Sequence, residues 1–127
     1  MDEFYHHAMS GIELLELELI VRDFVTVLND GAMSDVVAFL TEDVVYRSSA
    51  RKTIAGRPAV VSMVQDLRSA FDEWRTSLLT VAVANDVVLA EQAVCLKLAH
   101  TERQWVMGFS SFRLDGMRIC AWHQVHG

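Results

Sequence analysis

The chain has 127 residues, enough for about one domain, and 52 % of them are hydrophobic while 22 % are charged. Such a composition can bury a core, which argues against a disordered or low-complexity chain. The net charge of −6 argues against the basic surfaces that bind nucleic acid or anionic membranes, so neither is expected as a partner.

The first half of the sequence has helical periodicity. Ser10 and Glu13 form a capping box, and apolar residues then recur at helical spacing, which predicts a helix from Ser10 to about Asn29. Residues 1–10 are interpreted as an N-terminal tail and residues 11–127 as a single domain. A short helix is predicted over 35–40 after a Ser34 cap, and a third over 59–73 after Pro58.

The second half of the sequence has the composition and spacing of β-strands. Val44-Val45-Tyr46 predicts a short strand, and four longer strands are predicted over 77–84, 87–99, 104–114 and 117–126. The short polar breaks between the four are typical of hairpins, so the sheet should be largely antiparallel. Helices first and strands last predict an α+β fold with the helices packed on one face of the sheet.

The register of the last strand stays open at this point. A two-residue turn at 115–116 would pair Gly108 with His123, whereas a three-residue loop would pair Gly108 with Trp122. A slip of one residue moves every side chain to the opposite face of the sheet. Either His123 or the pair Trp122 and Gln124 therefore faces the core.

Acidic residues are plentiful but badly placed for catalysis. Of the 17, only Glu91 lies in the body of a predicted strand, which disfavours a site with two carboxylates. No G-x-S-x-G motif is present. His123 and His126 are three positions apart on a strand, so they point to opposite faces and do not predict a metal site. We expect no metal and no cofactor.

Neutral polar side chains are the remaining candidates. Gln92 stands among apolar residues of one strand face, either as a structural amide or as a group that lines a cavity. Tyr46, Gln124 and one of His123 and His126 could join it. Neutral donors in an apolar cavity suit a small hydrophobic ligand.

Three stretches, together with the order of the elements, resemble the nuclear transport factor 2-like superfamily. They are FLTEDVVY at 39–46, IAGRPA at 54–59 and ICAW at 119–122. The resemblance implies a cone-shaped α+β barrel, in which N-terminal helices pack on a curved, mainly antiparallel sheet around a hydrophobic pocket.

Within that superfamily the chain looks like the limonene epoxide hydrolases. Their Tyr-x-Asn motif corresponds to Tyr46 and Ser48, so a serine replaces the asparagine. Their Arg-x-Asp corresponds to Gln92 and Val94, and the last-strand Asp to Gln124. Both catalytic carboxylates are thus missing, and epoxide hydrolysis by the two-Asp mechanism is not expected. The base position of ketosteroid isomerases falls on Ser48, so that mechanism fails too.

SnoaL-like polyketide cyclases are the other similar branch. They place an acidic base just after the last-strand tryptophan, a position that His123 occupies here. The resemblance therefore implies candidate catalytic residues Tyr46, Gln92, Gln124 and His123. It also implies candidate ligand-binding residues, which are Ser48, Val94, Leu96, Val106 and Trp122.

The expected function is a pocket protein for a small hydrophobic molecule, with isomerase, cyclase or hydrolase activity left open. The alternative is a non-catalytic binding or homodimeric scaffold module. A homodimer is expected because Leu89, Ala93, Cys95 and Phe109 make the outward sheet face apolar. The two cysteines are interpreted as free thiols in a reducing compartment, and no signal sequence or membrane span is recognised, so we expect a cytoplasmic protein.

Overall fold

The computed structural model describes residues 2–48 and 52–126, with side chains from residue 11 onward. Within these ranges the elements in chain order are α1 (Asp2–Asp30), α2 (Met33–Ala38), β1 (Leu40–Ser48), β2 (Thr53–Ala55), α3 (Arg57–Ala70), β3 (Glu73–Ala84), β4 (Val87–Lys97), β5 (Gln104–Asp115) and β6 (Arg118–His126).

The strands form one curved, mixed sheet in the order β2-β1-β6-β5-β4-β3. All neighbouring strands run antiparallel except β1 and β6, which are parallel. The helices pack on one face of this open sheet, which we call the inner face. The predicted α+β class and largely antiparallel sheet are confirmed.

An aromatic core joins α1 to the inner face. The ring of Phe24 on α1 lies 5.3 Å from Trp122 on β6, edge to face, and also contacts Phe112 on β5. The ring centroids of Tyr46 on β1 and Trp122 lie 4.9 Å apart, again in an edge-to-face arrangement. Trp122 is only 1 % exposed. Burial of these large apolar rings stabilises the packing of α1 on the inner face.

The C-terminal end of α1 is fixed by side chains from other elements. The guanidinium of Arg68 on α3 donates to the carbonyls of Val27, Leu28 and Gly31, at 2.7 Å each. Asn29 donates to the carbonyl of Thr76 on β3 and accepts from its N–H. The Arg68 bonds thus satisfy carbonyls near the end of the helix, and the Asn29 bonds tie this end to β3.

The boundaries of all three helices differ from the prediction. α1 begins at Asp2, eight residues before Ser10, whose side chain lies outside the described part. α2 begins at Met33, because the Asp35 carboxylate accepts from the N–H of Ala32, so the predicted Ser34 cap is wrong. α3 ends at Ala70 because the next residues turn extended, and the N–H of residue 72 bonds to Lys97 in the sheet.

The hairpin between β5 and β6 has neither of the two predicted registers. Gly116, at φ +63°, and residue 117 form a two-residue turn, and Asp115 on one side of it pairs with Arg118 on the other. Cys120 has no partner on β5 and forms a bulge in β6, which shifts the pairing of the two strands by one residue. Gly108 therefore pairs with His126 instead of His123 or Trp122. Trp122 and Gln124 face the inner side.

No helix in the described part of the chain has the length and apolar character needed to cross a membrane.

Candidate functional site

A cluster of buried polar side chains lies at the middle of the inner face. Its members come from four adjacent strands: Tyr46 (β1), Gln124 and His126 (β6), Ser110 (β5) and Gln92 (β4). Ser110 is the register partner of Gln124, while Gln92 and His126 both pair with Gly108. Since side chains alternate between faces, these pairings place all five on the same side. We call them the inner polar cluster.

Tyr46 and Gln124 form the first hydrogen-bonded pair of the inner polar cluster. The Tyr46 hydroxyl donates to Gln124 Oε1 at 3.0 Å. Burial raises the pKa of Tyr46 above its usual value, so the phenol stays protonated and keeps its donor role. The pair is neutral, and Tyr46 is well placed to donate to a ligand oxygen if Gln124 turns away.

Ser110, Gln92 and His126 form a second, linear chain of hydrogen bonds. The Ser110 hydroxyl donates to Gln92 Oε1 at 2.8 Å, and Gln92 Nε2 lies 3.2 Å from His126 Nε2. Because an amide nitrogen only donates, His126 Nε2 must be the acceptor, and its proton sits on Nδ1. Burial lowers the pKa of His126, which favours this neutral imidazole.

Gly108 makes room for the histidine of this chain. A Cβ at position 108 would press against the backbone of Val125 and lie 2.7 Å from His126 Cδ2, well inside normal contact distance. The absent side chain lets the end of β6 approach β5 closely. His126 thereby reaches across to Gln92 on the next strand but one.

Several other predicted site residues lie on the inner face around the cluster. Val94 is buried opposite its register partner Val106, and Leu96 lies beyond it, half-buried. Ser48 pairs with Gln124 and is half-buried. Whether these residues bind a ligand stays a prediction.

His123 does not join the cluster. It is exposed on the outer face, with Arg47 and Ser111 as its register partners. The shift at Cys120 is the physical reason, because it fixes the inward set as Trp122, Gln124 and His126. The predicted set of Tyr46, Gln92, Gln124 and His123 is therefore brought together only in its first three members.

The inner polar cluster carries no buried carboxylate. Every Asp and Glu from residue 11 onward whose side chain is described is exposed or half-buried. Over the same residues the structure has no group of three metal-ligating side chains. The arrangement can donate and accept hydrogen bonds, but any proton transfer to a base would fall on His126.

Sequence reasoning did not select Ser110, and it named His126 only as an alternative to His123. Ser110 lies two positions from Gly108, so its side chain points to the inner face of β5. Its role depends on which residues of β4 lie beside it, and the pairing of two distant strands cannot be read from local sequence. The available signal was the polar spacing of Gln124 and His126 at i and i+2 on one strand, which places both on one face.

The cavities found at the surface lie elsewhere. Five of them, of about 360 to 580 Å³, open on the outer sheet face, beside the first half of α1, or against α3. None of the five is lined by Tyr46, Gln92 or Gln124. The cluster itself is nearly closed, and Gln92 is 0 % exposed.

Solved structures with this fold include enzymes. An LEH-like epoxide hydrolase from M. tuberculosis superposes with a TM-score of 0.82 at 20 % identity, covering 91 % of this chain and 85 % of that one. A protein described as a SnoaL-like polyketide cyclase from Shewanella denitrificans gives 0.79 at 11 % identity, covering 87 % and 90 %. Bal32a, from a soil-derived mobile gene cassette, gives 0.80 at 16 % identity, covering 90 % and 91 %. At these identities the likeness shows the fold alone.

No curated protein matches the chain in sequence. The SnoaL-like domain family, in contrast, matches residues 21–122, which run from the middle of α1 to the buried tryptophan of β6. This match spans most of the chain and includes β1 to β5 and the first half of β6. The chain therefore belongs to the SnoaL-like domain family, within the nuclear transport factor 2-like superfamily.

Proposed function

We propose that the chain binds a small, largely apolar and uncharged molecule on its inner face, through the inner polar cluster. The observation that carries this proposal is the convergence of five neutral hydrogen-bonding side chains from four adjacent strands, at a position where apolar side chains would be cheaper to bury. Aromatic rings beside the cluster suit the apolar part of such a ligand.

An unpaired donor supports the same proposal. Trp122 Nε1 is buried and has no hydrogen-bond partner in the part of the chain that the structure describes. Leaving a buried donor unpaired costs about 1–3 kcal/mol. Together with the Tyr46 hydroxyl, this N–H favours a ligand that carries an acceptor, such as a carbonyl, hydroxyl or ether oxygen.

Access to the cluster is favoured at one end of the inner face. His126, Leu96 and Val106 are half-buried there, whereas Trp122 and Phe112 at the opposite end are almost fully buried. We infer that the ligand enters past His126. The neutral Nδ1–H of that ring would then be the first polar group that it meets.

The chemistry of the cluster favours binding over carboxylate-driven catalysis. In the limonene epoxide hydrolase resemblance, the positions of the two catalytic carboxylates hold Val94 and Gln124, and neither can remove a proton from water. We therefore propose no epoxide hydrolysis by the two-Asp mechanism. A catalytic role as an isomerase or cyclase would need His126 as its base, with Gln92 displaced from Nε2.

Fluorescence titration with the neutral apolar fluorophore N-phenyl-1-naphthylamine tests the proposal. We expect saturable binding, and displacement by small neutral ketones. Tyr46→Phe and Gln124→Leu should each weaken ketone displacement about tenfold, because each removes a hydrogen-bonding group of the kind worth about 1 kcal/mol or more. Gln65→Leu on the exposed face of α3 is the matched control and should leave displacement unchanged.

The same titration can fail in an informative way. If neither Tyr46→Phe nor Gln124→Leu changes displacement while both variants remain folded, the inner polar cluster is not the binding site. If the fluorophore does not bind at all, and no ketone shifts the thermal unfolding midpoint, the proposal of a ligand site is wrong.

We also propose that a second copy of the chain covers the apolar part of the outer sheet face, on β4, β5 and the end of β6. Apolar side chains from β4, β5 and β6 adjoin one another on this face and are exposed, with Trp105 at 61 % and Phe109 at 62 %. The outer apolar patch consists of Leu89, Trp105, Met107, Phe109 and Val125. A monomer seldom exposes so many large apolar groups together, and an antiparallel sheet face readily packs on its own copy.

Sedimentation velocity tests this dimer. The chain should sediment as a dimer at micromolar concentration, and Phe109→Asp should convert it to a monomer because a carboxylate would be buried in the interface. Met117→Asp, at an exposed apolar residue outside the patch, is the control and should stay dimeric. A wild-type chain that sediments only as a monomer would overturn the proposal.

A further inference from the structure

A groove on the outer face gathers basic side chains in an otherwise acidic protein. It has a volume of about 360 Å³ and lies across β1, β6 and β5, beside the outer apolar patch. Arg47, Arg113 and His123 line it, together with the hydroxyl-bearing Ser111. None of these residues belongs to the inner polar cluster or to the outer apolar patch, so the groove is independent of both the proposed ligand site and the proposed dimer contact.

The strand register explains why these side chains converge. Arg47 pairs with His123 across β1 and β6, and His123 pairs with Ser111 across β6 and β5. Arg113 lies one row away, opposite the small Ala121. With strands about 4.8 Å apart, the two long arginine side chains flank His123 from either side and can reach one common ligand.

The groove has an unbalanced positive charge. Ion pairs elsewhere in the described residues employ Arg22, Arg75, Lys97 and Arg103, but none involves Arg47 or Arg113. No carboxylate lines the groove. In a chain with 17 acidic and 11 basic residues, an unneutralised pair of arginines in one depression favours an anionic ligand.

Charged side chains of both signs lie near Cys120, which also lines the groove. Burial raises the pKa of the Cys120 thiol most, the charges of Asp115 and Asp43 raise it further, and the charge of Arg113 lowers it. Arg47 and His123 are not among the groups that shift this pKa. An oxyanion bound beside His123 would have guanidinium, imidazole and hydroxyl donors around it.

We propose that this groove binds the phosphate group of a small organic phosphate ester. The arginine forks match phosphate oxygens, and three kinds of donor suit the three oxygens of a monoester. Three apolar residues, Val45, Val87 and Ala121, also line the groove. They would contact the organic part of the ester.

Isothermal titration at pH 7, with ionic strength held constant by NaCl, tests this assignment. Phenyl phosphate and inorganic phosphate are the two probes. We expect phenyl phosphate to bind more tightly, and Arg47→Gln or Arg113→Gln to weaken its binding about tenfold each, as expected for a lost charge-assisted hydrogen bond. Arg22→Gln on α1 makes the same change of charge away from the groove and should not alter binding.

Three results would overturn the proposal. Binding that is unaffected by both groove variants would place the ligand elsewhere. An equal loss in Arg22→Gln would mean that only the overall charge of the protein matters. Equal affinity for the two probes would exclude an organic ester as the ligand. Amide chemical-shift changes on phenyl phosphate addition should centre on β1, β5 and β6 in the wild-type chain, and shifts confined to other elements would also contradict it.

Discussion

Replacing Gln92 tests whether the inner polar cluster serves stability or ligand binding. The amide is fully buried and makes two hydrogen bonds, to Ser110 at 2.8 Å and to His126 at 3.2 Å. Gln92→Leu keeps much of the side-chain volume but leaves the Ser110 hydroxyl without its acceptor. A buried polar group that loses its partner costs about 1–3 kcal/mol, so we expect the free energy of unfolding to fall by that amount.

The double variant gives the decisive comparison. Ser110→Ala alone leaves Gln92 Oε1 without its donor and should also cost about 1–3 kcal/mol. Gln92→Leu with Ser110→Ala removes both partners, and apolar groups then fill the space. Its free energy of unfolding should lie within about 1 kcal/mol of the wild-type value, since replacing both partners of the Ser110–Gln92 bond is nearly neutral and the half-buried His126 can bond to water instead.

Urea denaturation of the four proteins at pH 7.5 measures this cycle. We expect the effects of the two substitutions to be non-additive by at least about 1 kcal/mol, which exceeds the 0.3–0.5 kcal/mol scatter of independent sites. The double variant should also lose ketone displacement while staying folded. Additive losses, or a double variant less stable than either single one, would refute the reasoning that Ser110 and Gln92 act as a buried pair.

The neighbouring glycine and histidine give two more predictions. Gly108→Ala would push the end of β6 away from β5, because its Cβ would overlap Val125 and lie 2.7 Å from His126 Cδ2. It should lower the free energy of unfolding by about 1–3 kcal/mol in urea denaturation, and an unchanged midpoint would contradict the close approach. Burial lowers the pKa of His126, so the unfolded chain binds this proton at a higher pH than the folded chain. The free energy of unfolding should therefore be highest above the ordinary histidine pKa and should fall as the pH decreases toward the lowered pKa of folded His126. Urea midpoints between pH 5 and 8 should show this slope in the wild-type chain and in His123→Gln but not in His126→Gln; a slope that survives His126→Gln unchanged would exclude His126 as its source.

Local patterns predicted most of the fold because they report on burial within one element. The alternation along β4 placed Gln92 among apolar side chains, and the structure finds it fully buried on the inner face. The helical spacing of apolar residues predicted α1, and two residues of that spacing, Phe24 and Leu28, lie in the core. In both cases the periodicity of a single segment contains the answer.

Features that depend on two distant segments could not be predicted in the same way. The short β2 is a strand because Ile54 pairs with Tyr46, not because of its own residues. Arg68 appears in sequence as an ordinary helix residue, yet it satisfies the end of α1. The site residues could not be predicted for the same reason. Whether His123 or Gln124 faces inward depends on the register shift at Cys120, and the packing of the whole hairpin sets that shift.

The hydrophobic anchor of β6 decides which polar groups reach the inner polar cluster. Trp122 is the largest fully buried side chain of the described residues, and burying a large apolar side chain is worth about 1.5–3 kcal/mol. A register that turned it outward would forfeit this energy. Since side chains alternate, Gln124 and His126 must follow it inward at i+2 and i+4, and His123 must face outward beside Arg47. One strand thus supplies neutral hydrogen-bonding groups to the inner face and a basic group to the outer groove. The burial of Trp122 in the core, rather than the chemistry of either surface, decides which side chain of β6 faces which side.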